Sequence, residues 1–393
     1  MRHSHLCRAA LVFPLLLFAL TAPQAQQKKQ SRASVLDSGV VYKRDPATGE
    51  LHIVSSGEPE GQTAEGAPSH GAPAIQVQSQ IVRVTCSVFA ADGTPVPGLT
   101  RERFRIFDDG APRVVANFDE SSEPATVALI VDASPSVLRD ATEMKEAAEA
   151  LIEGLAPSDE VAIVDFSAHT YVQQKFTSVR ELLRRAVDRI DVRELLNDTG
   201  GSNIYQSVYL TAAKLFAGRT GRKGIVLLTD GEDGGLGLSL NPASTQPIGG
   251  GDNRLRFEDV EKLLAAEDIQ VFAVSTENRP KILTADWLAA HRSRSLVSEK
   301  ARDEGIPAYT VFLAEIARAS GGELYFLHET STLAETFRRI AQRIGVEYTL
   351  GFVPGDPAQG PQPPGWHALR IEVTDIPGAT VDYRGSYYIP ASH

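Results

Sequence analysis

Three short stretches of the chain carry oxygen ligands at spacings that suit a metal ion. Asp132-Ala133-Ser134-Pro135-Ser136 places an acid and two hydroxyls at alternate positions. Asp230-Gly231-Glu232-Asp233 opens with a second acid, and Gly200-Gly201-Ser202 offers a third hydroxyl. In a tight loop, alternate side chains converge, so Asp132, Ser134 and Ser136 can face one point while Ala133 and Pro135 turn away. Joined by Ser202 and Asp230, they make an all-oxygen set without imidazole or thiolate. Such a set favours one Mg²⁺, Mn²⁺ or Ca²⁺ over zinc. With few carboxylates contributed directly, Mg²⁺ keeps waters and leaves a position open. Thr199 is a lower-ranked alternative donor. Asp and Ser are also favoured helix N-cap residues, and capping alone explains a D-x-S-x-S loop before a helix. The combination points further: an acid after each of two apolar strands, and a Gly-Gly-Ser before the helix between them.

Other chemistries find less support. His169 follows Asp165-Phe166-Ser167-Ala168 at a strand end, but no matched nucleophile stands near it in the sequence, and it reads as a loop histidine. No G-x-S-x-G elbow occurs, and no G-x-x-x-x-G-K-[ST] or G-x-G-x-x-G follows a strand. Glu232 and Asp233 either tune the Asp230 site or are solvated loop charges; the second is the commoner case. Arg338, Arg339 and Arg343 mark the exposed face of a late helix.

The elements that must hold the oxygen ligands alternate between short apolar strands and amphipathic helices over 124–345, the pattern of an α/β sheet. Strands are expected at 126–131, 161–166, 224–229, 269–274 and 323–326, with an edge strand at 171–176. Helices are expected near 138–154, 179–190, 203–217, 257–267, 309–319 and 331–343. Runs such as Val127-Ala128-Leu129-Ile130-Val131 and Ile225-Val226-Leu227-Leu228 are apolar throughout, as strands covered on both faces should be. The fold class is therefore a doubly wound, mostly parallel sheet with helices on both faces. The long connections at 231–255 and 276–307 follow strands, where ligand-contacting loops of such sheets lie.

On either side the pattern changes to period two. Residues 76–119 suggest a small antiparallel sheet, with strands at 76–89, 104–107 and 114–118. Residues 346–393 supply further strands at 348–353, 368–373 and 380–383, expected to join the earlier segment in a second domain. Residues 26–74 are rich in Gln, Lys, Ser, Gly, Pro and Glu and read as a flexible linker. A possible hairpin interrupts it, Val40-Val41-Tyr42 and Leu51-His52-Ile53-Val54 around Asp45-Pro46-Ala47-Thr48-Gly49, and it would need a partner surface.

Residues 1–25 read as a cleaved export signal. Arg2 and Arg8 precede an apolar run from Leu11 to Leu20, too short to span a bilayer comfortably, and small residues follow near Ala22 and Ala25. The destination is then the periplasm, the cell surface or the medium, with no integral span after cleavage. Loss of Arg2 and Arg8 takes 39 basic residues to 37 against 50 acidic ones, a net charge of about −13. No basic run can track phosphates, which argues against nucleic acid. Cys7 would leave with the signal, and Cys86, alone in an alternating strand, reads as a buried core residue that cannot form an internal disulfide. A chain of 393 residues is long enough for two or three units.

At this point the sequence resembles the von Willebrand factor A family. Asp132-Ala133-Ser134-Pro135-Ser136, Gly200-Gly201-Ser202 and Leu227-Leu228-Thr229-Asp230-Gly231 carry the resemblance over 124–345. The chain looks like a bacterial secreted subfamily whose A domain has flanking β segments. Val96-Pro97-Gly98-Leu99-Thr100-Arg101-Glu102-Arg103-Phe104 and Phe107-Asp108-Asp109-Gly110 match upstream; Tyr348-Thr349-Leu350-Gly351-Phe352 and Arg384-Gly385-Ser386-Tyr387-Tyr388 match downstream. The resemblance implies a metal-ion-dependent adhesion site of Asp132, Ser134, Ser136, Ser202 and Asp230. Its shell would be completed by an acidic side chain of a protein partner, and no catalysis is implied. The family usually has threonine where this chain has Ser202, whose rotamer is less restricted. Two rivals stand beside this reading: a scaffold whose metal site is unused, and a metal-assisted hydrolase, which would need a general base beside the ion.

Overall fold

In a computed structural model of the protein, the residues described are 34–55, 81–120, 123–134, 136–137, 141–190, 202–234, 253–284, 306–327, 332–355 and 362–390. The expected export signal lies outside them, as do Pro135, Thr199, Gly200, Gly201, residues 138–140 and most of the loops at 231–255 and 276–307.

The first strands are β1 (Ser34–Val35), β2 (Val40–Arg44) and β3 (Leu51–Ser55). They are followed by β4 (Val82–Phe89), β5 (Phe104–Asp108), β6 (Ala111–Arg113) and β7 (Asn117–Glu120). The central unit then runs through β8 (Thr126–Asp132), α1 (Ala141–Gly154), β9 (Glu160–Phe166), β10 (Thr170–Thr177) and α2 (Arg180–Val187). It continues with α3 (Ile204–Leu210), extended by a π turn at Thr211–Leu215, and β11 (Lys223–Thr229). Next come α4 (Phe257–Glu267), β12 (Ile269–Ser275), α5 (Ala308–Ser320), β13 (Leu324–Phe326) and α6 (Leu333–Gly345). The chain ends in β14 (Tyr348–Phe352), β15 (Gly365–Val373), β16 (Thr380–Tyr383) and β17 (Ser386–Ile389).

The central sheet has the order β1-β10-β9-β8-β11-β12-β13. The strands from β9 through β13 in that order are parallel; β10 runs antiparallel to β9, and β1 antiparallel to β10. This is the doubly wound, mostly parallel architecture expected from the alternation. The all-apolar run of β8 divides by its period of two. Val127, Leu129 and Val131 join α1 and α6 in one core through Met144, Leu151, Phe337 and Ile340. Ala128 and Ile130 face the other way, among Ile204, Val208, Val260, Leu313 and Ile316 of α3, α4 and α5.

The flanking segments form two four-stranded antiparallel sheets, β16-β4-β14-β7 and β17-β15-β5-β6. Val84, Cys86, Val88, Phe104, Ile106, Tyr348, Leu350, Phe352, Leu369 and Ile371 make their shared core. Cys86 is fully buried in β4, and burial pushes its thiol pKa well up. One expected element is displaced. The strand expected at 114–118 starts only at Asn117, as β7 pairing with β14, while β6, which pairs with β5 in the other sheet, ends before it at Arg113. The chain crosses between the sheets at Val114–Ala116, burying Val115 and leaving Val114 84% exposed.

Residues 34–55 depart from the linker expectation. The hairpin forms, and it finds its partner surface on α3. Tyr42 and Leu51 are buried there, and Tyr209 Oη donates to the Leu51 carbonyl at 3.0 Å. Arg44 makes a two-pronged ion pair with Asp259 of α4, at 2.6 and 2.7 Å. Residues 26–33 and 56–74 of that expected linker lie outside the described residues.

The β domain docks at the amino ends of the central strands. Arg384 donates to Asp268 Oδ1 at 2.9 Å, to the Ala265 carbonyl at 2.6 Å, and to the Arg83 carbonyl. Thr85 Oγ1 donates to Asp268 Oδ2 at 2.6 Å. Arg343 of α6 pairs with Glu323 and Asp382 and lies over the Phe89 ring. Asp268 and Glu323 directly precede β12 and β13, so this junction is at the end of the sheet opposite Asp132 and Asp230.

Candidate functional site

β8 and β11 are adjacent and parallel, with Val131 opposite Leu228, so the two chains leave the sheet side by side. Asp132 closes β8 with no exposure, and Asp230 follows β11 at 8%. Burial of apolar strand residues thus carries two carboxylates to one edge. The Ser134 amide donates to Asp132 Oδ1 at 3.0 Å, folding the first loop back on its own acid. The Ser134 and Ser136 hydroxyls are 2.9 Å apart, and Ser136 Oγ donates to Asp230 Oδ2 at 2.6 Å. Ser202 Oγ donates to Asp132 Oδ1 at 3.2 Å. Asp132, Ser134, Ser136, Ser202 and Asp230 therefore form one connected set of oxygens drawn from three loops.

Electrostatically the set is overloaded with negative charge. Burial, and then the nearby Asp230, push the Asp132 carboxyl up to about 7, against the donors from Ser134 and Thr229. A cation relieves both causes, and the donor set is all oxygen; on both counts these residues fit a hard divalent ion.

Thr229 is a member of the site that the sequence reading missed. Its hydroxyl donates to Asp132 Oδ2 at 2.8 Å and accepts the Gly231 amide at 3.0 Å. The available signal was a polar residue directly after the apolar run Ile225-Val226-Leu227-Leu228 and directly before Asp230. Gly231 has φ +94, and a Cβ there would stand 3.1 Å from the Tyr309 ring, so the turn after Asp230 requires glycine. Asp233 is not a solvated loop charge. It is fully buried, and its carboxylate accepts the Tyr205 amide in the first turn of α3 at 3.1 Å. The Gly234 amide donates to the Ser202 carbonyl at 2.7 Å. The third loop thereby braces the second.

A different cluster of metal-capable groups lies in the β domain: Asp108, Asp109 and His367. Asp108 is fully buried but already accepts from Arg113 Nε at 3.0 Å, the Gly355 amide at 3.1 Å and Tyr387 Oη at 2.7 Å. With three donors, one of them a guanidinium, already on it, Asp108 ties β5, β6 and β17 together rather than offering a vacant ligand. His169 is held by the amino-terminal arm, its Nδ1 2.8 Å from Asp37 Oδ2.

Residues 126–282 match the family described as von Willebrand factor type A domain. A UPF0353 protein of Nocardia farcinica is 25% identical over 237 residues, which is 58% of this chain. The match spans 65% of that relative's length. Among solved structures, a von Willebrand factor type A protein from Catenulispora acidiphila is 15% identical, with a TM-score of 0.39. That likeness covers 80% of this chain and 75% of the other. An aerotolerance-related membrane protein from Bacteroides fragilis is 19% identical, with a TM-score of 0.38. It is covered over 98% of its length by 56% of this chain. Among the described residues, no helix is long and apolar enough to cross a membrane. The chain carries a von Willebrand factor type A domain in residues 126–282.

Proposed function

We propose that this is an exported binding protein that captures an acidic side chain of a protein partner through one divalent ion, Mg²⁺ or a similar cation, without chemistry on the partner. The observation that carries the reading is the connected oxygen set of Asp132, Ser134, Ser136, Ser202 and Asp230, at the carboxyl edge of a sheet buried on both faces. When bound, the ion supplies a Lewis-acidic position open to a carboxylate from outside. The chain's own residues do the rest. Asp132 and Asp230 supply the charge, and the three serines supply neutral oxygens. Thr229 and the Ser134 amide fix the Asp132 carboxylate before any ion arrives. Asp233 and Gly234 hold the Ser202 loop against the Asp230 loop. Export rests on the amino-terminal charge, apolar run and small residues of the sequence.

The test is calorimetric titration of Mg²⁺ and Mn²⁺ into metal-stripped residues 26–393, beside Asp132→Ala. One saturable site, lost in the variant, supports the reading, and partner capture should then disappear in chelator. No binding at millimolar ion to the wild type, followed by capture that chelator does not touch, would turn the function toward the β domain.

A further inference from the structure

The amino-terminal arm ends on the turn that anchors the second metal loop. β1 pairs with β10 at the edge of the central sheet, Ser34 opposite Val172 and Val35 opposite Tyr171. The next residue, Leu36, donates its amide to the Thr170 carbonyl at 2.8 Å. Asp37, whose side chain is 7% exposed, accepts His169 Nδ1 at 2.8 Å and the Thr170 amide at 3.4 Å. Three successive contacts thus hold the β9–β10 turn from the arm side.

The same turn holds the start of α3. The Asn203 amide donates to the Ser167 carbonyl at 2.9 Å, and Asn203 Nδ2 donates to the Ala168 carbonyl at 2.7 Å. The Thr170 and Ser207 hydroxyls, both buried, are 2.7 Å apart, and Ser207 Oγ donates back to the Asn203 carbonyl at 2.9 Å. Asn203 follows Ser202, whose hydroxyl reaches Asp132. Further along, Lys214 Nζ donates to the Leu36 carbonyl at 2.9 Å, so the arm holds the far end of the segment that begins at Asn203 directly and its start through the turn.

The geometry points to Asp37 as a positioning residue: through His169 and Thr170 it fixes the β9–β10 turn, and through that turn it fixes Asn203 and the Ser202 hydroxyl beside Asp132. The arm is then part of the binding apparatus, although none of its residues touches the oxygen set. This inference rests on the metal reading for its purpose but not for its mechanical content. An arm that merely added stability would leave the local order of the Ser202 loop untouched once global stability is matched.

The test compares wild type, Asp37→Ala and Arg44→Ala in residues 26–393. Arg44 belongs to the same arm but binds Asp259, away from the turn, and so reports general loosening. Two readouts are taken: hydrogen exchange of the Asn203 and Gly234 amides in metal-free protein, and Mn²⁺ affinity by calorimetry. Asp37→Ala is expected to speed both amides about tenfold and to weaken Mn²⁺ about fivefold, within the usual range of coupling between sites. Arg44→Ala should lower the melting temperature while leaving both amides and the affinity near wild type. Unchanged amides in Asp37→Ala, or equal acceleration in Arg44→Ala, overturn the positioning role. If the wild type binds no Mn²⁺ but Asp37→Ala alone speeds the two amides, the positioning stands and the metal reading falls.

Discussion

Thr229 Oγ1 lies 2.8 Å from Asp132 Oδ2, joining the last residue of one buried strand to the last residue of its neighbour. The bond fixes which way the carboxylate faces, leaving Oδ1 for the Ser134 amide and the Ser202 hydroxyl. It also makes a β-branched hydroxyl residue part of the site without making it a ligand. Outer partners of this kind typically contribute 10–100-fold to metal affinity. Thr229→Val keeps the shape and removes the hydroxyl. Calorimetry should show Mn²⁺ binding weakened by about tenfold. An unchanged affinity would mean that Asp132 holds its orientation without Thr229.

Asp132 and Asp230 repel one another in the absence of a cation, and Asp132 is fully buried. Asp132→Asn removes that repulsion and keeps the volume. The metal-free variant should be more stable than metal-free wild type at neutral pH, by about 1–2 kcal/mol, because a buried charge near a like charge is lost. Added Mn²⁺ should reverse the order. At a concentration near 100 times its Kd, an ion stabilises the wild type by about 2.7 kcal/mol and the variant by nothing. Denaturant midpoints in chelator and in Mn²⁺ measure both effects. A variant less stable in chelator would contradict the electrostatic account of this pair.

The parts of the site legible in the sequence were those that break a pattern. Asp132 and Asp230 interrupt apolar runs, and a carboxylate at the end of a buried strand is conspicuous. Thr229 was hidden because a threonine in a strand breaks no rule of strand propensity. Asp233 was misread because a charge in a Gly-rich loop is usually solvated, whereas here it meets the first turn of a helix. The arm was legible only in part, for a tertiary reason: its hairpin showed as two short runs around a turn, but the surface it covers and the pairing of β1 with β10 did not. Residues 34–55 cannot order themselves alone, and their order comes from the surface they cover. The clue lay on the other side, in α3. Ile204, Tyr205, Val208, Tyr209 and Leu210 make five of its seven residues apolar, too wide a stripe for one covered face, and all seven are buried. The crossing at 114–116 between β6 and β7 was invisible because its apolar residues read like strand residues.

Arg44 and Asp259 form a nearly buried, two-pronged pair that fastens the arm to α4, with side chains 9% and 6% exposed. Asp259 also accepts the Arg256 amide at 2.8 Å and so caps its own helix. Removing one member leaves the other charged, desolvated and unpaired. Arg44→Ala should therefore cost about 3 kcal/mol in urea denaturation, typical for breaking a buried pair. Asp259→Ala should cost more, because the cap is lost as well. The double variant should be clearly less damaging than the sum of the two, since neither charge is then stranded. Strict additivity would show that the pair is weakly coupled.

Glu347 gives the junction between the two domains a pH dependence. It is 3% exposed, and burial raises its carboxyl pKa to about 8; Arg222 opposes the rise, while Asp268 and Asp159 add to it. The folded state therefore keeps a proton that the unfolded chain releases near pH 4.5. Stability from this group is fully present below pH 4.5 and is lost as pH rises through about 8. Glu347→Gln carries no titrating proton and removes the loss. Relative to wild type, the variant should gain on the order of a few kcal/mol at pH 8.5 and much less at pH 5. Urea midpoints for both proteins at the two pH values make the comparison, and other titrating groups cancel in the difference. A gain of equal size at pH 5 and pH 8.5 would show that Glu347 is ionised across the range, with Arg222 compensating its burial in full.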